Sequence, residues 1–274
     1  MNIIVATRLV YACRPGTHVT AVVQAARSPD QRILAERLTL GPDTRLAEEA
    51  DAEGTRWLRG EVPERFELAY EAEIDNGARL LLPASARQWH RTELPLAVLP
   101  FLLPSRFCPS DLFVRFACRE FGGIEDGVGR VMAIADWIAA HVDYVAGVST
   151  AESDAAHTFT LRAGVCRDFA HLGITLCRAL GIPARAVSCY AADLAPPDFH
   201  AVMEVFLDGA WWIVDLTRLA PVEGMVRICH GRDAADIAFL TTDQACELVE
   251  QEISARFAEK GASADQWPSA AQSA

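Results

Sequence analysis

Cys166 is placed in this sequence where a thiol can act as a nucleophile. Apolar residues recur every three or four positions from Val165 to Leu180, which predicts one buried face of a helix. Gly181 and Pro183 end that pattern. Cys166 therefore lies at the predicted N-terminus of the helix, where unpaired N–H groups and the helix dipole favour an anion such as a thiolate.

A cysteine nucleophile needs a base, and the base usually needs a third group that orients it. Downstream of the helix, two runs rich in β-branched and aromatic residues are separated by Asp208 and Gly209, a strong signal for a tight hairpin turn. If these two residues form the loop, Asp215 lies diagonal to His200 on the same side of the sheet. The sequence therefore predicts a His–Asp pair, and Cys166 completes a catalytic triad if the sheet packs on its helix.

A tetrahedral oxyanion formed at this thiol would need hydrogen-bond donors. The backbone N–H of Cys166 is one natural donor. The sequence does not define the second donor, for which Tyr144 and Trp137 are the candidates.

The composition limits the partners and the location of the protein. The chain has 274 residues, 51% of them apolar, and a formal net charge of −12. This charge argues against nucleic acid and membrane surfaces as partners, because both favour basic patches. A peptide or protein substrate is expected instead, and a homo-oligomer is left open. No signal peptide or membrane-spanning segment is recognisable, which predicts a cytoplasmic protein.

The eight cysteines have irregular spacing and form no C-x-x-C pair. This pattern predicts reduced, mostly buried thiols rather than a disulfide framework or a zinc site. The histidines have no metal-ligand spacing either, so no metal and no cofactor are expected. Cys108 differs from the other cysteines because it lies in a connector that is expected to be exposed.

The pattern of elements predicts an α+β protein with two domains. Residues 1–105 contain short, partly alternating strand-like segments that indicate an antiparallel β-sandwich-like domain, followed by a proline-rich connector. Residues 106–262 contain helical segments followed by an antiparallel sheet, and they form the predicted catalytic domain. Residues 263–274 are small and polar and are expected to be disordered.

The stretch "AGVCRDFAHLGITLCRALGIPARAVSCY", followed by "FHAVMEVFLDGAWWIVDLT", resembles the core of the bacterial transglutaminase-like family. That family belongs to the papain-like cysteine enzymes, with the catalytic order Cys, His, Asp. Cys166 matches the nucleophile in the family's G-V-C-x-D-F-A-H motif, His200 the histidine of its H-A motif, and Asp215 the aspartate of its D-x-T motif. The resemblance is strong over residues 158–217. The segment before residue 105 resembles the family's N-terminal β-domain more weakly.

The resemblance implies acyl transfer through a thioester at peptide or glutamine amide bonds, by a protease, an amidase or a transglutaminase. Two departures concern specificity: Val202 replaces the tryptophan that usually follows H-A, and Leu216 and Arg218 replace the proline and asparagine of D-P-T-N. The alternative is a non-catalytic module that binds a peptide or protein on the same fold. Asp168 and His171, both within the cysteine motif, are interpreted as structural residues.

Overall fold

The computed structural model describes residues 1–77, 79–125 and 127–258, so the predicted tail at 263–274 lies outside the described residues. The helices, in chain order, are α1 (Ser110–Phe121), α2 (Val128–His141), α3 (Ala155–Leu161) and α4 (Cys166–Ala179). The strands, in chain order, are β1 (Asn2–Cys13), β2 (Thr17–Ala21), β3 (Arg32–Leu40), β4 (Ala47–Ala50), β5 (Arg56–Val62), β6 (Arg65–Asp75), β7 (Asp143–Tyr144), β8 (Ala163–Gly164), β9 (Ala184–Ala191), β10 (Phe199–Leu207), β11 (Ala210–Val214), β12 (Met225–Gly231), β13 (Leu240–Thr242) and β14 (Cys246–Phe257).

The strands β1 to β6 of the N-terminal part, together with β13 and β14, form two antiparallel sheets of four strands, in the orders β14–β1–β6–β3 and β13–β2–β5–β4. Buried positions alternate along β1 and β6, as is typical of strands with one face on a core. One apolar cluster joins the two sheets, with Leu9 and Phe66 from the first and Val19 and Leu58 from the second. This arrangement confirms the predicted sandwich-like sheets.

A third sheet, in the order β11–β10–β9–β12, packs against α4, and the other helices surround α4. Gly173 allows α4 to approach the sheet closely: a Cβ there would lie 2.2 Å from Cδ1 of Leu216 and 3.0 Å from Sδ of Met203. Helices on an antiparallel sheet give the α+β class that the sequence predicts. Among the described residues, no helix has the length and apolar character needed to cross a bilayer.

The hairpin between β10 and β11 has the predicted register, since Leu207 pairs with Ala210. The two loop residues, Asp208 and Gly209, have φ of 48° and 80°, which is the pattern of a type I′ turn. The short helix α3 is not among the elements that the sequence pattern predicts. It is only 7 residues long, and Arg162 ends it in the left-handed conformation.

The C-terminal strands return to the N-terminal sheets. β14 pairs antiparallel with β1 along nearly its whole length, and β13 pairs with β2. The division at residue 105 stays a prediction. The predicted boundaries place the segment 240–257 in the second domain, whereas β13 and β14 of this segment complete the two N-terminal sheets. The two parts of the chain are therefore joined by backbone hydrogen bonds as well as by the connector.

The prediction of eight reduced thiols was wrong for one pair, because Cys13 and Cys246 form a disulfide between β1 and β14. Disulfides are typical of oxidising compartments, which counts against the cytoplasmic location; that location stays a prediction. The other six cysteines are free thiols. Cys108, expected to be exposed, is fully buried, and burial raises the pKa of its thiol to about 12. The exposed free cysteine is Cys118.

Candidate active site

Cys166 is the first residue of α4, as the sequence predicts. The turn before it is held by Asp168, which is fully buried and whose Oδ2 accepts the N–H of Val165 at 2.8 Å. Gly164 is required by this contact, because a Cβ there would lie 2.6 Å from Cβ of Asp168 and 3.0 Å from Oδ2. The predicted structural role of Asp168 is therefore that of a helix cap, which fixes the peptide that carries the thiol.

Tyr144 lies beside Cys166 because a short parallel bridge aligns the two segments. In this bridge β7 pairs with β8, Tyr144 opposite Gly164, and the N–H of Val145 donates to the carbonyl of Gly164 at 2.9 Å. Burial raises the pKa of the Tyr144 phenol to about 12, and the neighbouring Cys166 adds to the shift. The phenol therefore keeps its proton at neutral pH and can act as a hydrogen-bond donor next to the thiol.

His200 and Asp215 meet on the hairpin in the predicted diagonal arrangement. Nε2 of His200 donates to Oδ2 of Asp215 at 3.2 Å, and both side chains are almost fully buried. Nδ1 of His200 has no hydrogen-bond partner among the described residues. Since Nε2 is occupied by the carboxylate, Nδ1 is the ring nitrogen available to the thiol of Cys166.

Thr217 fixes the carboxylate of Asp215. Oδ1 of Asp215 accepts the backbone N–H of Thr217 at 2.9 Å and its hydroxyl at 2.7 Å. The adjacent Arg218 has a φ of 58°, in the left-handed region, which asparagine adopts more readily than most residues. An asparagine would therefore adopt the backbone conformation at position 218 more readily than the arginine of this chain does.

The charges of the site favour an imidazolium. Burial alone would lower the pKa of His200, but the hydrogen bond to Asp215 and the contact with Cys166 outweigh it and raise the pKa to about 9. Burial alone would raise the pKa of Asp215, but the hydrogen bond from His200, its charge and the Thr217 hydrogen bonds hold that pKa below its usual value. At neutral pH the pair therefore carries an imidazolium beside the thiol of Cys166.

The thiol opens onto a groove with two adjoining compartments. The first, of about 500 Å³, is lined by Cys166 and His200 together with segments from β1, β10, β13 and β14. The second, of about 550 Å³, continues from it past Val165 and Arg167.

His171, interpreted from the sequence as structural, supports one wall of the groove. Its ring stacks on Phe107 with the centroids 5.1 Å apart, and Nε2 accepts the N–H of Ala234 at 3.1 Å. Burial lowers the pKa of His171 to about 4, so the ring is neutral and can accept this hydrogen bond. Ala234 in turn lines the first compartment. The structural interpretation of His171 agrees with these contacts.

The structure brings Cys166, His200, Asp215 and Tyr144 together, but not Trp137. The Trp137 ring stacks on His141 and Phe159, in an aromatic cluster between the helices. Val202, at the position of the family's tryptophan, is buried in an apolar cluster under the sheet and does not line either compartment. Sequence reasoning missed Thr217 as the residue that holds Asp215. The D-x-T spacing was the available signal, because a threonine hydroxyl two residues on can bond back to an aspartate.

These features define the class of the protein: an α+β fold with a thiol at a helix N-terminus beside a histidine that is paired with a carboxylate. The family model described as the transglutaminase-like superfamily matches residues 115–216, a range that contains all three groups. A solved structure of a candidate cysteine protease from Cytophaga hutchinsonii is 38% identical with a TM-score of 0.85, over 94% of this chain and 91% of that chain.

The chain is also 28% identical, over 146 residues, to an uncharacterised protein of Mycobacterium leprae (strain TN). That match covers 50% of this chain and 52% of the relative, so it spans about half the length of the curated protein. The family model and the near full-length structural relative agree. The chain belongs to the transglutaminase-like superfamily.

Proposed function

We propose that the protein is a cysteine-dependent acyl-transfer enzyme that cleaves amide bonds in peptides or proteins. The observation that carries the proposal is the hydrogen bond of 3.2 Å between His200 and Asp215, which leaves Nδ1 of the histidine to the thiol at the N-terminus of α4. A purely binding role requires no such combination of a thiol, a base and a carboxylate.

The reaction follows from the charges of the site. The Cys166 thiolate attacks the carbonyl carbon, and the electron pair of the C=O bond moves to oxygen to give a tetrahedral oxyanion. This intermediate collapses to a thioester as the imidazolium of His200 donates its proton to the departing nitrogen. Water, deprotonated by His200, then attacks the thioester, and an acid and the free thiol are released. Asp215 keeps the ring oriented and stabilises its charged form.

Hydrolysis is favoured over transamidation by the relative from Cytophaga hutchinsonii, which is described as a candidate cysteine protease and matches nearly the whole chain. In a transamidation, a primary amine would resolve the same thioester. The distinction is measurable: hydrolysis yields a new carboxyl group and chain cleavage, whereas transamidation of a glutamine incorporates a labelled amine.

Tyr144 is proposed as the second oxyanion donor, beside the backbone N–H of Cys166. The support is its position on the β7–β8 bridge and its retained proton. We expect Tyr144→Phe to slow acylation by a peptide ester about 10²-fold. Alkylation by iodoacetamide forms no oxyanion, so its rate should be retained; equal losses in both reactions would mean that Tyr144 only supports the structure.

The test of the proposed function is the reactivity of Cys166 near neutral pH. Cys118 is exposed and would also react, so all proteins should carry Cys118→Ser. We expect iodoacetamide to modify one thiol rapidly, with loss of this reaction in Cys166→Ala and a reduction of at least about 10-fold in His200→Asn. Peptide cleavage should disappear in both variants. Circular dichroism is the control that shows whether His200→Asn, a substitution of a buried residue, leaves the protein folded.

Two results would contradict this proposal, the first for the enzyme itself and the second for hydrolysis. A Cys166 that reacts no faster than a small-molecule thiol, with a rate unaffected by His200→Asn in the folded protein, would favour the binding module. Incorporation of a labelled amine into a glutamine-containing protein, without chain cleavage, would assign transamidation instead of hydrolysis.

A further inference from the structure

The compartment beside Cys166 is lined mainly by apolar side chains that come from distant parts of the chain. They are contributed by β1, β10, β13 with the segment before it, and β14: Tyr11, Phe199, Ile237, Phe239, Leu240 and Leu248. Its volume of about 500 Å³ lies within the range of pockets that bind small ligands and exceeds what one large side chain occupies.

The lining offers little to a charged group. None of the described residues that line this compartment carries a carboxylate. Apart from His200, the proposed base, its basic residue is Arg167. Nη2 of Arg167 already donates to the carbonyl of Thr150 at 2.7 Å and to Oδ1 of Asp168 at 3.3 Å. A carboxylate entering here would lose its hydration and would find Arg167 already paired with Asp168 and His200 already paired with Asp215, which makes its burial costly.

The wall is held in place before any ligand binds. The rings of Phe199 and Phe239 stack with their centroids 3.9 Å apart, and Tyr11 stacks on Phe66 at 5.8 Å. Tyr11 also lies directly opposite Leu248 in the β1–β14 pairing. Since these side chains are already ordered, burying an apolar group against them costs little conformational entropy.

The second compartment extends the groove and has a more mixed lining. It shares Tyr11, Arg167, Phe199, Phe239 and Leu248 with the first, and so the two form one continuous groove. Its additional lining combines the apolar Leu9, Ala151 and Val165 with the polar Ser149, Thr150, Asp198 and Gln251. The first compartment, whose lining includes no carboxylate, is therefore the part of the groove better suited to an apolar side chain.

We infer that the first compartment binds a bulky apolar side chain, aromatic or leucine-like, of a peptide whose carbonyl group is attacked by Cys166. The substrate class is therefore peptides with such a residue next to the reacting carbonyl. This inference rests on the proposed function. It goes beyond that function because it names Tyr11 and Leu248, from the first and last strands, as residues that determine specificity.

The test compares irreversible reagents in the Cys118→Ser protein. Two pairs of dipeptidyl chloromethyl ketones are used, and the two members of a pair differ only by phenylalanine in place of glutamate. In the first pair this residue carries the ketone, and in the second pair it is the residue before it. Each rate is divided by the rate with iodoacetamide, which has no side chain. We expect the phenylalanine reagent to react about 10- to 100-fold faster in at least one pair. A ratio within twofold in both pairs would overturn the inference.

Two neighbouring substitutions assign the effect to the groove. Leu248 and Val249 are 43% and 52% exposed on the same strand, but only Leu248 lines the two compartments. Leu248→Glu introduces a carboxylate into the wall and should reduce the preference for phenylalanine at least about 10-fold. Val249→Glu adds the same charge outside the groove and should leave the preference intact. Equal effects of the two substitutions would contradict the inference.

The two possible failures are distinguishable. If His200→Asn leaves the iodoacetamide rate unchanged, the proposed function fails, whatever the reagents show. If Cys166 is activated by His200 but does not discriminate between phenylalanine and glutamate, the enzyme stands and the apolar side-chain site is rejected.

Discussion

Replacing Gly164 by alanine tests how the thiol of Cys166 is positioned. The added Cβ would lie 2.6 Å from Cβ of Asp168, whereas ordinary contacts begin at 3.4 Å. The two segments must therefore separate by about 0.8 Å, the difference of these distances. Asp168 is fully buried behind the first turn of α4, so the strain falls on the turn that carries Cys166.

The expected cost follows from this displacement. Crowding in a packed site costs about 1–3 kcal/mol, and weakening the Asp168 cap costs about 1 kcal/mol more. The lower entropy of the unfolded alanine chain offsets about 0.4–1 kcal/mol. The free energy of unfolding should therefore fall by roughly 1–3.6 kcal/mol, a decrease in Tm of about 3–11 °C. A misplacement of nearly 1 Å should also slow the reaction of Cys166 about 10- to 100-fold.

Gly123→Ala is the matched control, because no atom lies within 4 Å of a Cβ placed there. We expect this variant to keep the wild-type Tm within about 2 °C and the full rate of Cys166 alkylation. Both quantities are measured in the Cys118→Ser background by thermal unfolding and by iodoacetamide consumption. If Gly164→Ala retains the wild-type rate, the cap does not position the thiol, and the explanation given for this glycine is wrong.

Three further predictions follow from the same structure. The pKa of His200 is raised to about 9 from an ordinary value of 6.5. The stabilisation from its charged form is therefore fully present below pH 6.5 and is lost as the pH rises through 9. Amide cleavage needs the imidazolium as an acid, so kcat/KM should fall over the same upper pH range. In Asp215→Asn the carboxylate charge is lost, and that upper limb should move toward lower pH with a rate loss on the order of 10²-fold; an unchanged limb would exclude Asp215 as the cause of the raised pKa. Replacing both Cys13 and Cys246 by serine should lower the free energy of unfolding by roughly 2–5 kcal/mol, because their disulfide closes a loop with a sequence separation of 233. A thermal unfolding curve of the wild-type protein that does not respond to a reductant would contradict this expectation.

The parts of the site that depend on local rules were predictable from the sequence. The start of α4 at Cys166 follows from the apolar periodicity, and the pairing of His200 with Asp215 follows from a two-residue hairpin loop. Both are set by residues close together in the chain, where helix and turn preferences decide the geometry. The contact between the thiol and the imidazole also requires the sheet to pack on the end of the helix, and no local pattern predicts that packing.

The wall of the groove was not predictable in this way. Tyr11 and Leu248 are paired across nearly the whole length of the chain, and no local pattern marks a pairing at that distance. The same applies to the disulfide, because irregular cysteine spacing carries no information about partners. Gly164 is the glycine of the G-V-C motif, but the reason for a glycine there becomes visible only with the buried side chain of Asp168 in place.

The return of β14 to β1 gives the N-terminal sheets a part in the chemistry of the groove. Along these strands Tyr11 and Cys13 are two residues apart, as are Leu248 and Cys246, so each pair points to one face of the sheet. The disulfide therefore lies beside the Tyr11–Leu248 pair, and Cys246 itself lines the apolar compartment. α4 and β10 supply the reacting groups and part of the lining, through Arg167 and Phe199, whereas the proposed apolar site also needs Tyr11 and Leu248 from strands near the two ends of the chain. An isolated segment limited to the family's core motifs would retain the thiol and its base but would lack this wall.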